Sequence, residues 1–184
     1  DFSNKDEDVI LWMDHRAAEE TVKIKATGHP LLKFVGGQMS IEMEVPKMMW
    51  LSKHMPKENF DVAHFYDLSD WLTMHSTGID ARSFCSVACK QGYVPQGVEG
   101  SKTGWSKEFL TQVGLSSLTE DNFARLGGVD GINGIYHSAG EPVGNLTSQA
   151  ASELGLTTKT VVGSGVIDAY SGWIGTVAAK TPEL

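Results

Sequence analysis

The segment around residues 160–179 limits the choice of fold more than any other part of the chain. Residues 160–167 are apolar or small, which predicts a buried strand whose glycines pack closely against neighbouring backbone. The strand ends at Asp168, and an apolar helix is predicted over residues 169–179. In α/β folds, ligands bind in the crevice outside the carboxyl ends of the strands. We therefore expect an α/β domain with the Asp168 carboxylate in its ligand-binding crevice.

Two helices have clear boundaries in the sequence. Pro46 suits a first helical turn, where the missing N–H costs nothing, and Pro56 ends that helix. Its apolar face is formed by Val45, Met48, Met49, Leu51 and Met55. The second helix is predicted to begin with a cap from Asp67 or Ser69, and to end at Gly78, which accepts the left-handed conformation.

The remaining elements are less sharply marked. A short helix is predicted after Trp105, through Val113. Residues 127–144 are rich in glycine and lack a period, which indicates a loop, with a strand at residues 131–136 left open. Thr147 is predicted to cap a further helix that ends at Gly155.

An apolar run near the beginning of the chain, residues 9–13, predicts a second buried strand. Asp14, His15 and Arg16 follow directly, and the polar stretch up to Thr27 is expected to be helical. Together the three side chains offer a hydrogen-bond acceptor, a tunable donor and a fixed cation for the hydroxyls of a polyol. A solvated turn is the alternative interpretation of the same three residues.

Charge and cysteine content exclude several classes of function. The net charge of −8 repels a phosphate backbone, and no Lys/Arg cluster offsets it, so nucleic acid is not an expected partner. The longest apolar runs are too short to cross a bilayer, so no membrane partner is expected either. Cys85 and Cys89 lie four residues apart without further metal ligands nearby, which favours free thiols in a cytoplasmic protein.

Asp168 is the strongest candidate for catalysis. The dipole and free N–H groups of a helix N-terminus stabilise an ionised carboxylate there, and that carboxylate can accept a proton from a substrate hydroxyl. A simple N-cap is the structural alternative. Lys90 is a charged residue within a mostly apolar segment. It is a candidate ligand for a substrate, and the alternative is an ordinary surface lysine. Glu42 and Glu44 precede the Pro46 helix and are expected to complement its dipole.

The common nucleotide and protease motifs are missing. The sequence contains no GxxxxGK[ST], no GxGxxG and no HExxH pattern, and GSGVID lacks the spacing of a dinucleotide loop. It also lacks the GxSxG elbow of an α/β hydrolase, which counts against an unrelated hydrolase as a third interpretation. The spacing of residues in these motifs alone predicts only an α/β domain with a cleft.

Four blocks together resemble the FGGY carbohydrate kinases, and within that family the ribulokinase-like branch of pentulose kinases. LWMDHRA is similar to the LW-x-D-x-R-A block of the family. GGQMSIEMEVPKMMWL, which runs on into AHFYDLSDWLTMHSTG, resembles the GG-x-x-S-x-E-x-x-x-PK-x-x-x-L stretch. ARSFCSVACKQGY is similar to the segment that supplies a substrate-contacting lysine. NLTSQAASELGLTTKTVVGSGVIDAYSGWIG resembles the block that ends in the catalytic aspartate.

The resemblance implies an actin-like, ribonuclease-H-type ATPase domain that holds a sugar. By position, Asp168 becomes the general base, Lys90 a sugar contact, and Asp14, His15 and Arg16 part of the same cleft. The resemblance also implies ATP as phosphoryl donor, Mg²⁺ accompanying it, and a small sugar such as D-ribulose as substrate. A homodimer is left open.

Two departures from the family pattern lead to further expectations. The sequence does not open with the family's strand–turn and glycine-threonine phosphate loop, and the ATP-binding domain is expected to begin near residue 184. We therefore expect residues 1–184 to be an incomplete N-terminal sugar-kinase domain, with ATP and Mg²⁺ held mainly by parts outside this chain and with no activity by itself. A non-catalytic sugar-binding or actin-like interaction module, a pseudokinase, is the alternative.

Overall fold

The computed structural model describes residue 4 and residues 8–179 as a mixture of short helices and strands. In chain order these are α1 (Ala18–Ala26), α2 (Glu44–His54), α3 (Lys57–Phe60), α4 (Leu68–Thr77), β1 (Ala81–Ser83), α5 (Phe84–Lys90), α6 (Lys107–Gln112), β2 (Ile135–His137), β3 (Pro142–Asn145), α7 (Ser148–Leu154), β4 (Val161–Gly163) and α8 (Asp168–Ala178). Short 3₁₀ segments lie at Pro30–Val35, Val98–Gly100, Ser116–Asn122 and Ala124–Leu126. This mixture confirms the α/β fold class.

The strands form two small sheets. Strand β1 pairs with β2 in parallel, with Arg82 opposite Tyr136. Strand β3 pairs with β4 in antiparallel fashion, with Gly144 opposite Val162. Each sheet is too small to be stable by itself. Helix α4 packs against strands of both sheets, and α5 packs against β1.

The main core lies between α1, α2, α6 and the aromatic side chains that precede and follow α6. From α2 it receives four of the predicted apolar residues, Val45, Met48, Met49 and Leu51. Tyr93 stands edge-on to the ring of Trp105 and stacked on that of Tyr136, at centroid distances of 5.0 and 5.1 Å. The Trp105 Nε1–H and the Tyr136 hydroxyl both donate to the Gly128 carbonyl, at 2.7 and 2.9 Å. The polar ends of Trp105 and Tyr136 are therefore satisfied inside the core, whereas the buried Tyr93 hydroxyl has no hydrogen-bond partner among the described residues.

The predicted helix boundaries are confirmed by their caps. Asp67 Oδ1 accepts a hydrogen bond from the Ser69 N–H at 3.0 Å, and Gly78 ends α4 at φ +73°. Thr147 Oγ1 accepts from the Ala150 N–H at 3.1 Å. Gly155 ends α7 in the left-handed conformation. The helix predicted before Thr27 is α1, and the one after Trp105 is α6.

The prediction of a buried strand over residues 9–13 is wrong. Leu11 and Trp12 are 60% and 63% exposed, and among the described residues no strand lies beside them. Their carbonyls instead accept hydrogen bonds from Lys47 Nζ. An apolar run becomes a buried strand only when neighbouring elements cover it, and a local pattern does not specify those neighbours.

The strand before Asp168 is shorter and more exposed than predicted. Only Val161–Gly163 is a strand, and Val161 is 56% exposed, so the prediction of a buried strand over residues 160–167 is wrong. The strand left open at residues 131–136 is instead Ile135–His137. The apolar helix over residues 169–179 is confirmed as α8. Its large apolar side chains remain 43–59% exposed: Tyr170, Trp173, Ile174 and Val177.

Cys85 and Cys89 are free and half-buried, as expected. The longest helices, α2 and α8, have 11 residues each. Within the described ranges, no helix has the length and apolar character needed to span a membrane.

Candidate active site

Within the segment Asp14–Arg16, the Asp14 carboxylate and the Arg16 guanidinium bind each other. The Arg16 Nε–H donates to Asp14 Oδ2 at 2.8 Å, and the Arg16 backbone N–H donates to Asp14 Oδ1 at 3.0 Å. The hydrogen bonds from Arg16 hold the pKa of Asp14 below its usual value. The guanidinium also lies 4.3 Å from the centre of the Trp50 ring, on α2. His15 is exposed.

Lys47, in the first turns of α2, connects this segment to the core. Its ammonium donates to the carbonyls of Leu11 and Trp12, at 2.7 and 3.2 Å. Burial lowers the pKa of Lys47, and the positive charge of Lys90 lowers it further. The negative charge of Asp14 acts in the opposite direction. Asp14 and Lys90 therefore both lie within electrostatic reach of the Lys47 ammonium.

Lys90 is the last residue of α5 and is half-buried. The next residue, Gln91, is buried and donates a side-chain hydrogen bond to Glu44 Oε2, at the first residue of α2. The end of α5 is thereby attached to the beginning of α2.

Three carboxyl groups meet beside this attachment. Burial and the neighbouring Asp67 carboxylate raise the pKa of Glu44 to about 8. Burial likewise raises the pKa of Asp70, on α4, to about 7. Asp70 Oδ1 accepts a hydrogen bond from the Ser83 N–H at 3.0 Å. Because Glu44 is mostly neutral at pH 7, it does not complement the α2 dipole as an anion, which corrects that expectation. Glu42 is exposed.

Asp168 is exposed and is the first residue of α8. Ile167 occupies the N-cap position, so the structure does not support the simple N-cap alternative for Asp168. Asp168 Oδ1 accepts a hydrogen bond from the Ala169 N–H at 2.8 Å. An exposed carboxylate in the first turn of a helix is favoured as the anion by the helix dipole.

The segment before Asp168 is held against α4 and β1. The Ser83 hydroxyl donates to the Gly165 carbonyl at 2.6 Å. A Cβ atom on Gly165 would lie 2.4 Å from Ser69 Oγ, so only glycine fits that close approach. Asp168 therefore follows three residues after a fixed contact with the beginning of α4.

Arg16 pairs with Asp14 and lies over the Trp50 ring on α2, and the charge of Lys90 acts on Lys47 of the same helix. Asp168 stands apart: across residues 8–179, no hydrogen bond or ion pair joins it to Asp14, Arg16 or Lys90. Lys47 and Gln91 also belong to this region, although neither is predicted from the sequence as a site residue. A signal for Lys47 was present, because it is the fixed lysine of the GG-x-x-S-x-E-x-x-x-PK-x-x-x-L pattern, whereas Gln91 had only its place next to Lys90.

The comparisons with known proteins bear on the whole chain. A model of the N-terminal domain of the FGGY family of carbohydrate kinases matches residues 7–175. The chain belongs to this family. It is 55% identical over 183 residues to a D-ribulokinase from Saccharomyces cerevisiae, covering all of this chain and 26% of that protein. It is 38% identical to an FGGY carbohydrate kinase domain-containing protein from Homo sapiens, covering 93% of this chain and 29% of that protein.

Solved structures agree with the expected fold. A gluconate kinase from Lactobacillus acidophilus matches with a TM-score of 0.67 at 19% identity, over 92% of this FGGY chain and 31% of that one. A ligand-bound xylulose kinase from the same organism matches with a TM-score of 0.63 at 18% identity, with the same coverage. These similarities confirm the actin-like fold of the FGGY sugar kinases. The chain spans about a quarter to a third of the length of the relatives it matches.

Proposed function

We propose that the full-length protein containing this chain, called the parent protein below, is an ATP-dependent kinase that phosphorylates a pentulose. D-ribulose is the first candidate substrate. Membership of the FGGY family supports the class of reaction. The 55% identity to a protein named D-ribulokinase supports the choice of sugar.

The single observation that carries the proposed mechanism is the position of Asp168. Its carboxylate is exposed in the first turn of α8, and it does not fill the N-cap position. A general base must be reachable by the hydroxyl that it deprotonates, and an exposed carboxylate meets that condition.

In the proposed step, Asp168 accepts the proton of one sugar hydroxyl. The hydroxyl oxygen forms a bond to the γ-phosphorus of ATP, the bond from that phosphorus to the β-bridging oxygen breaks, and ADP leaves. Lys90 donates to a sugar oxygen, and Asp14, His15 and Arg16 bind further hydroxyls. Positioning and charge stabilisation account for most catalysis in phosphoryl transfer, so these contacts matter for orientation.

Mg²⁺ would be expected to accompany the nucleotide. Of the described residues, no three His, Cys, Asp or Glu side chains are arranged to hold a metal ion. The described residues therefore do not fit a magnesium site, and we derive no step through one.

Comparing sugars tests the substrate class. We expect kcat/KM of the parent protein to be highest for D-ribulose among D-ribulose, L-ribulose, xylulose, glycerol and gluconate. Lys90→Met should raise KM for the preferred pentulose and flatten this ranking, because a site built to hydrogen-bond a group rejects analogues that lack it. A preference for glycerol or gluconate would contradict the pentulose assignment. Sugar binding without any turnover would favour a pseudokinase.

The Asp168→Asn variant of the parent protein tests the base. The amide keeps the shape and the hydrogen-bond acceptor but cannot take up the proton. We expect turnover to fall about a hundred- to ten-thousand-fold while sugar binding persists. Asp61→Asn is the control, because Asp61 is an exposed aspartate paired with Lys57. Near-normal turnover of Asp168→Asn would rule out the assignment.

A further inference from the structure

The first turn of α2 contacts two separate segments that carry predicted sugar ligands. Glu44 and Lys47 are three residues apart, so they lie on the same face of the helix. Lys47 contacts the chain just before Asp14, and Glu44 contacts the residue just after Lys90. The two segments are more than 70 residues apart in sequence.

Lys47 is buried and hydrogen-bonded within the protein. It is 9% exposed, and its ammonium uses two of its three donors on the carbonyls of Leu11 and Trp12. Hydrogen bonds from a charged donor are stronger than those between neutral groups. Lys53, on the same helix, instead pairs with Glu20 of α1 at 2.6 Å.

Glu44 makes the corresponding contact at the other segment. Its Oε2 accepts from the amide of Gln91, which is 2% exposed and follows Lys90 directly. Because Gln91 is also the C-cap residue of α5, fixing its side chain fixes the end of the helix that carries Lys90.

We propose that Glu44 and Lys47 are positioning residues that together hold the Asp14–Arg16 segment and Lys90 at a fixed separation in the sugar site. Neither residue needs to touch the sugar, since their polar groups are engaged with the protein. The inference rests on the proposed function of the parent protein, because it assigns sugar contacts to the two segments that the bridge connects.

The test compares three variants of the full-length parent protein. Lys47→Met removes the donors at similar volume, Lys47→Arg keeps a cationic donor, and Lys53→Met is the control on the same helix. We expect Lys47→Met to raise KM for the pentulose about tenfold or more, with KM for ATP unchanged. Lys47→Arg should recover part of the loss, and Lys53→Met should behave as the unaltered enzyme.

A variant of Glu44 and a control variant test the second half of the bridge. Glu44→Ala removes the acceptor for Gln91, and Glu42→Ala changes an exposed glutamate two residues earlier. We expect Glu44→Ala to raise KM for the pentulose, and Glu42→Ala to leave it unchanged. Glu44→Gln should retain near-normal KM, because its amide oxygen still accepts from Gln91.

Amide hydrogen exchange gives a second measurement that does not depend on turnover. Exchange should increase in residues 9–17 of Lys47→Met and in residues 88–94 of Glu44→Ala, and neither control should show these increases. Unchanged exchange in these segments, or a pentulose KM within about twofold of the unaltered enzyme, would overturn the inference. A parent protein that turns over no sugar would instead contradict the proposed function and the positioning role together, while the exchange data would still decide whether the bridge exists.

Discussion

Individual residues acquire their chemistry here from neighbours distant in sequence. Glu44 lies near two carboxyl groups at the beginning of α4, those of Asp67 and Asp70. It also accepts a hydrogen bond from Gln91 at the end of α5 and interacts with Lys47 on its own helix. Burial is the largest cause of its raised pKa, and the two aspartates add to it. A neutral carboxyl in the folded protein makes stability depend on pH, with a sign that follows from the direction of the shift.

The folded-state pKa of Glu44 is about 8, above the ordinary value of 4.5. Between these values the unfolded chain has lost the proton and the folded chain keeps it, so stability falls as pH rises through this window. The slope for one such group is at most about 1.4 kcal/mol per pH unit. We expect Glu44→Gln, measured by denaturant unfolding at pH 5 to 8, to gain stability relative to the unaltered protein as pH rises.

The raised pKa of Asp70 also makes stability fall with rising pH, up to about pH 7. This contribution of Asp70 should be present both in the unaltered protein and in Glu44→Gln. Glu42→Gln is the control, because Glu42 is exposed. Parallel stability profiles for Glu44→Gln and the unaltered protein would show that Glu44 ionises normally in the folded state.

At the scale of elements, the stability of a short helix depends on the residues that cap its two ends. Helix α7 has seven residues, begins at the Thr147 cap and ends with Gly155 in the left-handed conformation. The Leu156 N–H donates to the Ala151 carbonyl at 2.8 Å, which completes a Schellman ending. A helix this short is marginal in water, so capping and the packing of Ala150 and Ala151 must sustain it.

Thr147→Ala removes the hydroxyl that accepts from the Ala150 N–H. We expect it to lower the free energy of unfolding by about 1 kcal/mol, measured by urea denaturation. Thr147→Ser, which keeps the hydroxyl, should lose much less. Ser148→Ala changes an exposed residue inside the same helix and should stay within about 0.5 kcal/mol of the unaltered protein. Equal losses for Thr147→Ala and Ser148→Ala would exclude a capping effect.

At the scale of the whole molecule, runs of neighbouring apolar side chains remain exposed, and two of them lie near the ends of the described residues. One is residues 9–13, and the other is the face of α8 formed by Tyr170, Trp173, Ile174 and Val177. Contiguous exposed apolar surface commonly marks a contact with another part of a protein. The chain also covers only 26% of its D-ribulokinase relative.

We expect the 184-residue chain by itself to have no kinase activity. The family model that matches residues 7–175 is that of the N-terminal domain alone. Incubation with ATP, Mg²⁺ and a panel of ketopentoses should yield no ADP above background, with the parent protein as the positive control. Robust turnover by the 184-residue chain would contradict the expectation that residues outside it hold the nucleotide.

The sequence by itself determined the family, the helix boundaries and the candidate base. Caps such as Asp67 and Thr147 are predictable because the donor and the acceptor lie within three residues of each other. The tertiary structure alone decided which apolar runs are buried and which carboxyls are neutral. Residues 9–13 looked like a buried strand, but burial depends on elements packed from elsewhere in the chain. Folding buries Glu44 and brings Asp67 beside it, which raises the pKa of Glu44, and no local pattern records that approach.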